Sequence, residues 1–189
     1  MKKLLTCISA CAFAVSAFAA DTASSGVYVR GDIGASFGKA VGGKYSTGTL
    51  ATKPVYNLGV GYKFDDNFRG DVNFQYRKSS LKNVNSKVTN KTVFFNGYYD
   101  LKNDTIFTPY VTAGLGLSSN TFYSKINTNI VNGSAKGHMV YNAGLGTKIG
   151  VYKNVDLDVS YRYSDLGRVA KNSARWRTHE IMTGVSYTF

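Results

Sequence analysis

Beyond residue 26 the chain alternates. Val27, Val29, Gly31, Ile33, Ala35 and Phe37 fall on one side of an extended strand, and Tyr28, Arg30, Asp32, Gly34 and Ser36 on the other, because successive strand side chains point to opposite faces. Phe68, Gly70, Val72, Phe74 and Tyr76 likewise oppose Arg69, Asp71, Asn73, Gln75 and Arg77. The same period of two recurs over 55–64, 92–101, 107–118, 138–149, 155–164 and 179–189, giving eight segments in all. No position on the apolar side of any segment is Lys, Arg, Asp or Glu. Apolar residues nowhere repeat at three-to-four spacing beyond residue 26, so no helix is expected there.

Segments of this length can cross a bilayer as tilted strands. In a membrane barrel the apolar side meets lipid and the polar side lines the tube; a water-soluble barrel reverses this. The connections decide between them. Turns 65–67, 102–105 and 151–154 are short, whereas 38–54, 78–91, 119–137 and 165–177 are long, and the two kinds alternate. Bacterial outer-membrane barrels show this asymmetry, with short periplasmic turns and long extracellular loops. Aromatic residues collect at both strand ends: Tyr62, Phe64, Phe68, Phe107, Tyr187 and Phe189 on the turn side, and Phe37, Tyr56, Tyr76, Tyr141 and Tyr163 on the loop side. The pattern predicts an all-β fold, an eight-stranded antiparallel up-and-down transmembrane β-barrel in the bacterial outer membrane with its loops at the cell surface.

The first residues read as a targeting segment. A cationic Met1-Lys2-Lys3 start precedes a short apolar run, and Ala17-Phe18-Ala19 offers a small-x-small cleavage pattern. The expected organisation is a cleaved signal peptide over 1–19, a short leader over 20–26 and the barrel over 27–189. Cys7 and Cys11, the only cysteines, leave with the signal. Ile8-Ser9-Ala10-Cys11 loosely matches a lipoprotein cleavage box, but cutting there leaves too short an apolar core for a signal.

An eight-stranded barrel is just wide enough for side chains to fill it. Its polar side carries equal numbers of cations (Arg30, Lys63, Arg69, Arg77, Lys148, Arg162) and anions (Asp32, Asp71, Asp100, Asp156, Asp158, Glu180). Unpaired charge in such a confined interior is costly, so a lumenal network of ion pairs is expected. Glycines on the polar side should leave room for Tyr98, Tyr110 and the long arginines. The expectation is a plugged tube. Arg-Gly-Asp occurs twice, at 30–32 and 69–71. In each copy Arg and Asp share the lumenal side, so the tripeptide is not displayed as an integrin ligand would be, on an exposed turn.

With 23 basic and 11 acidic residues the net charge is +12. The excess falls on the predicted loops: Lys39, Lys44 and Lys53; Lys78, Lys82, Lys87 and Lys91; Lys125 and Lys136; and Arg168, Lys171, Arg175 and Arg177 against Asp165 alone. A surface field of one sign steers anionic partners. These residues, with Trp176 between two arginines as an expected exposed hot spot, are the candidate ligand-binding set. Candidate partners are sulfated host glycans, acidic patches of serum proteins, and the anionic outer-membrane lipid and lipopolysaccharide of the bacterium itself. The compartment excludes nucleic acid.

No catalytic, metal or cofactor site is expected. His138 and His179 lie near the loop ends with no spacing that supplies a second ligand. A lipid-modifying Ser–His–acid centre is not indicated: the residue two after His179 is Ile181, with no hydroxyl. Residues 144–150, GLGTKIG, precede no helix, so a nucleotide site is not read there.

The stretches NLGVGYKFDDNFRGDV (57–72), NGYYDL (96–101), TPYVTAGLG (108–116), YNAGLGTKIG (141–150), VDLDVSYRYSDLGR (155–168) and THEIMTGVSYTF (178–189) resemble the eight-stranded opacity and outer-membrane-protein-A-like barrels. Within that group they are most similar to small rickettsial surface barrels classed as adhesins. The resemblance covers the whole chain beyond the signal. It implies outer-membrane residence and attachment to host cells or serum proteins. A terminal Phe189 with aromatic Tyr187 resembles the signature read by the outer-membrane assembly machinery. The expectation is an adhesin or host-factor-binding surface protein, the alternative a structural barrel supporting envelope integrity.

Overall fold

The computed structural model describes residues 26–41, 48–49, 52–80, 86–126, 129–168 and 175–189. The expected signal peptide and most of the leader lie outside these residues. The described strands are β1 (Gly26–Val41), β2 (Gly48–Thr49), β3 (Lys53–Lys63), β4 (Phe68–Ser80), β5 (Ser86–Asp100), β6 (Phe107–Ile126), β7 (Asn129–Tyr152), β8 (Val155–Arg168) and β9 (Arg175–Thr188). Apart from β2, each pairs antiparallel with its chain neighbours, and β1 pairs with β9 to close the sheet. The closure runs from Tyr28↔Thr188 up to Val41↔Arg175. The result is a closed eight-stranded barrel; β2 is a two-residue piece folded back on the top of β1. Closure removes the free edges that an open sheet would present to lipid.

Burial follows the alternation with the inside polar. On β5, Asn90, Thr92, Phe94, Asn96, Tyr98 and Asp100 are buried, while Val93, Phe95 and Tyr99 face out. Leu58, Phe95 and Leu115 are 68%, 61% and 60% exposed. A continuous exposed band of such residues around the whole barrel suits only a hydrocarbon surround.

The periplasmic end is tight. Asp65 accepts hydrogen bonds from the backbone amides of Asn67 and Phe68 through Oδ1, both at 2.7 Å, the local turn that aspartate favours. Asn154 fastens the end of β9, its Nδ2 donating to the Thr188 carbonyl at 2.8 Å. Aromatic pairs mark this rim: Phe68 with Tyr99 and Tyr187 with Phe189, each pair at 5.0 Å between ring centres.

The outer end departs from expectation. Much of the sequence read as loop is strand. The β6–β7 ladder continues to Ile126↔Asn129, and β4–β5 to Ser80↔Lys87. The reason is that apolar alternation marks only the part within lipid. Above it the outward face no longer meets lipid, so the apolar alternation stops, while backbone groups still need partners. Two bulges shape this end. Gly137, at φ 74°, is looped out between Ser118↔His138 and Ser119↔Lys136, and Gly167, at φ 71°, lies within the irregularity between Asp165 and Arg168. Glycine takes this backbone conformation without steric cost.

Candidate functional site

Two places gather chemistry: the lumen and the outer rim. In the lower lumen Arg30 reaches along its own strand to Asp32, Nε to Oδ2 at 3.0 Å and Nη2 to Oδ1 at 2.7 Å. The same guanidinium lies 3.3 Å from Asp158 and 3.8 Å from Asp71, and donates to the Tyr98 hydroxyl at 3.1 Å. The acids are held from behind. Tyr98 and Asn96 donate to Asp71 at 2.8 and 2.7 Å, and Tyr110 to Asp158 at 2.8 Å. Asn57 donates to Asp32 at 2.5 Å.

Both Arg-Gly-Asp copies therefore sit inside the wall, with Asp32 and Asp71 buried. Arg69 of the second copy donates to Asp100 at 3.0 Å and lies over the Tyr98 ring at 3.9 Å from its centre. Lys148 meets the same Asp100 at 3.0 Å. Lys63 instead pairs at 3.8 Å with Asp66 on the periplasmic turn, and Asp156 is half-buried with no ion pair among the described residues. Asp66 also takes a hydrogen bond from Lys102, which holds its carboxyl below the usual carboxylate range.

In the upper lumen Arg77 grips Glu180, Nε to Oε1 at 2.6 Å and Nη2 to Oε2 at 3.0 Å. Gln75 and Asn90 accept from the same guanidinium at 2.5 and 2.8 Å. Arg162 stands directly across from Glu180 in the β8–β9 register, fully buried, and its Nε and Nη1 find no hydrogen-bond acceptor among the described residues. Phe94, Val140, Leu166 and Trp176 occupy the rest of the section.

The glycines beneath these side chains supply room. A Cβ on Gly146 would sit 2.6 Å from Tyr110 Cζ, and one on Gly116 would sit 2.7 Å from Phe94 Cδ1. Gly61 gives way to Tyr28 and Gly184 to Asp32. Tyr98, expected to need such room, is not among the nearest neighbours of a Cβ on any described glycine.

Trp176 requires a correction. Expected as an exposed hot spot, it is 3% exposed. The alternation of β9 explains this: Trp176 shares the inward side with Thr178 and Glu180, which are buried too. Its flanking arginines gave the wrong impression, whereas the period of two, carried two inward positions beyond Glu180, gives the right face.

The expected basic loop set is largely on strands. Lys53, Lys78, Lys91 and Arg177 have described side chains, with Lys78 and Lys91 exposed. Lys78 Nζ lies 5.7 Å from the centre of the Tyr76 ring. Arg177 Nε is 3.5 Å from Asp165 Oδ2, an acid read as loop but buried at the bulge. Lys39, Lys87, Lys125, Lys136, Arg168 and Arg175 lie on strand backbones with undescribed side chains, and Lys44, Lys82 and Lys171 lie outside the described residues. His179 is exposed, hydrogen-bonded to the Tyr161 hydroxyl through Nδ1 at 2.5 Å, with its ring centre 5.3 Å from that of Tyr163 and the two rings tilted by 58°. Among the described residues no group of three or more His, Cys, Asp or Glu is placed to hold a metal ion.

The closed sheet, the apolar outer wall and the ionised interior define an outer-membrane barrel. The chain belongs to the outer membrane protein beta-barrel domain family, whose profile matches residues 5–189. It is 29% identical to the outer membrane protein PagN of Salmonella typhimurium, across 89% of this chain and 92% of that protein. It is 28% identical to a candidate adhesin of Rickettsia felis, across 97% of this chain and 92% of that one. Among solved structures, Neisserial surface protein A superposes with a TM-score of 0.66 at 22% identity, covering 86% of this chain and 97% of that one. Ail, the attachment invasion locus protein of Yersinia pestis, does so at 0.57 and 17% identity, covering 87% and 99%. The protein is located in the outer membrane and is related to barrels of adhesin type.

Proposed function

We propose that the protein is a surface adhesin that binds anionic host polysaccharide or acidic host proteins through its basic extracellular end. The observation that carries this reading is the division of charge. The lumen pairs most of its ions inside a closed section, and the sequence assigns the excess behind its net charge of +12 to the segments read as extracellular loops. A sealed lumen leaves the outer end as the working surface, and an excess of one sign there accelerates encounter with opposite charge. The relatives fit. The outer membrane protein PagN and a rickettsial candidate adhesin each match this chain over 92% of their own length, and Ail has been solved with the heparin analogue sucrose octasulfate. By the same reading the expected set, from Lys39 through Arg177, acts collectively as one electropositive surface.

The test is binding of the refolded barrel to immobilised sulfated glycan across a salt titration. Binding should weaken steeply with salt and disappear when Lys82, Lys87 and Lys171 are reversed to Glu. Salt-independent binding, or binding unchanged by the reversals, rejects the mechanism. The second reading, a structural barrel without host ligand, is favoured by the densely hydrogen-bonded interior. It expects a deletion strain with a fragile envelope and normal host attachment.

A further inference from the structure

We infer that the lumen is a binding site for a small monovalent anion of the halide class, chloride being its commonest member, held by the guanidinium of Arg162 and the hydroxyl of Ser160. The argument begins with the arginine that the ion-pair network leaves over. Arg162 is 1% exposed, and neither its Nε nor its Nη1 meets an acceptor among the described residues. An arginine stays charged in a protein, so its burial is not relieved by loss of a proton. A buried charge without a partner is strongly destabilising. An anion that reaches this guanidinium therefore stabilises the folded barrel.

The carboxylate across from Arg162 is already committed. Glu180 Oε1 accepts from Arg77 at 2.6 Å and from Thr178 at 3.2 Å, and Oε2 accepts from Arg77 at 3.0 Å. Gln75 and Asn90 give their oxygens to the same Arg77 guanidinium. Arg77 and Arg162 thus share one acid, and this level of the lumen carries one more positive charge than negative. The surplus acids lie lower, where Asp32, Asp71 and Asp158 surround Arg30.

The strand supplies the rest of the cradle. Inward positions of β8 follow one another at roughly 6.7 Å, which puts Ser160 one step below Arg162 and Ser164 one step above. Ser160 is buried, and its Oγ has no hydrogen-bond partner among the described residues. Opposite Arg162 on β7 is Gly144, and opposite Ser160 is Gly146, so that side brings no side-chain acceptor to either. The unpartnered acceptor beside this strand, Asn142 Oδ1, is opposite Ser164 instead. Arg162 and Ser160 are left as hydrogens without an oxygen to receive them, under a local charge of plus one. A neutral water would satisfy the hydrogen bonds and leave the charge. Side chains fill a tube of eight strands, so a bulky or multiply charged ion has no room.

The full barrel is refolded into phosphatidylcholine vesicles at fixed ionic strength, with chloride exchanged for gluconate, an anion too bulky to enter. Urea unfolding is read from the fluorescence of Trp176, the chain's one tryptophan. The folding constant should rise roughly tenfold between about 3 and about 300 mM chloride, as linkage to one bound ion requires. Crystals grown in bromide should show an anomalous peak beside Arg162 Nε and Nη1. Arg162→Met, verified as folded by heat-shifted gel migration, should lose the chloride dependence, and Ser160→Ala should need several-fold more chloride for the same effect. Glu180→Gln, less stable in gluconate, should need several-fold less, because it adds one positive charge to the site; a purely structural role for Arg162 predicts no such change. Lys82→Gln/Lys171→Gln, in the segments read as loops, should keep the dependence of the parent. Equal stability of the parent in chloride and gluconate overturns the inference. So does a folded Arg162→Met that keeps the chloride response, and if that variant fails to fold, unchanged chloride responses of Ser160→Ala and Glu180→Gln overturn it equally. No host ligand enters these measurements, so failure of the adhesin reading leaves the result standing, and the converse holds.

Discussion

At the scale of single residues the two sides of each strand obey different solvents. Val72 is 45% exposed at the centre of the apolar stretch of β4, while Asn73 beside it is 1% exposed. Val72→Arg places a charge in hydrocarbon near mid-depth and should cost about 2–4 kcal/mol, read as a shift in urea unfolding from lipid vesicles. A much smaller cost would mean that this wall does not face lipid. Glycines divide in the same way. Gly146→Ala drives a methyl against Tyr110 and should destabilise by about 1–3 kcal/mol, as overpacking does. A Cβ on Gly97 meets nothing within 4 Å, so Gly97→Ala should be neutral or slightly stabilising in the same assay. Equal effects at the two sites would contradict the packing described.

Between elements, the ion pair of Arg77 on β4 with Glu180 on β9 links opposite walls of the tube. Glu180→Gln removes the one carboxylate facing two buried arginines, Arg77 and Arg162, and should cost about 3–5 kcal/mol. Replacing all three by apolar residues (Arg77→Met, Arg162→Met, Glu180→Leu) should recover most of that loss in equilibrium unfolding, because a missing partner costs more than a missing pair. A triple variant as unstable as Glu180→Gln would mean that the pair itself, rather than the abandoned charge, supplies the stability. Such cross-wall partnerships were only half legible in the sequence. The inward side of every strand follows from the period of two, which places Arg77 and Glu180 in the lumen. Which acid meets which base depends on strand register and barrel closure, and neither is encoded locally. Lys63 shows the difference: its inward parity suggested a lumenal partner, yet its height at the bottom of β3 delivers it to Asp66 on the turn. The strand extensions above the membrane were illegible for a related reason. Pairing there satisfies backbone groups without an outward apolar face, and so leaves no alternating signature. Trp176 was legible, but only to a reader who continued the alternation past the last apolar residue.

Taken whole, the molecule is a solid cylinder. From the periplasmic side the section is filled by Tyr28, Tyr98, Tyr110 and Arg69, then by Arg30 among Asp32, Asp71 and Asp158. Above these come Gln75, Phe94 and Met182, then Arg77 with Glu180, and at the mouth Val140, Leu166 and Trp176. Together these layers oppose passage of a hydrated ion, since dehydrating a charge costs far more than thermal energy supplies. Planar-bilayer recording of the native barrel should therefore show no resolvable conductance steps, and stable ohmic openings would refute the plugged section. Opening one layer should not open the tube: Trp176→Ala unblocks the mouth but leaves Arg77–Glu180 and the Arg30 cluster in place. Arg30→Ala tests the charge along the path rather than its closure. It leaves Asp32, Asp71 and Asp158 facing one another without the guanidinium that joins them. Any leak in that variant must pass a site of uncompensated negative charge and so favour cations. In a potassium chloride gradient its reversal potential should move toward the potassium limit; an anion-selective or unselective leak would place the permeation path somewhere other than this cluster.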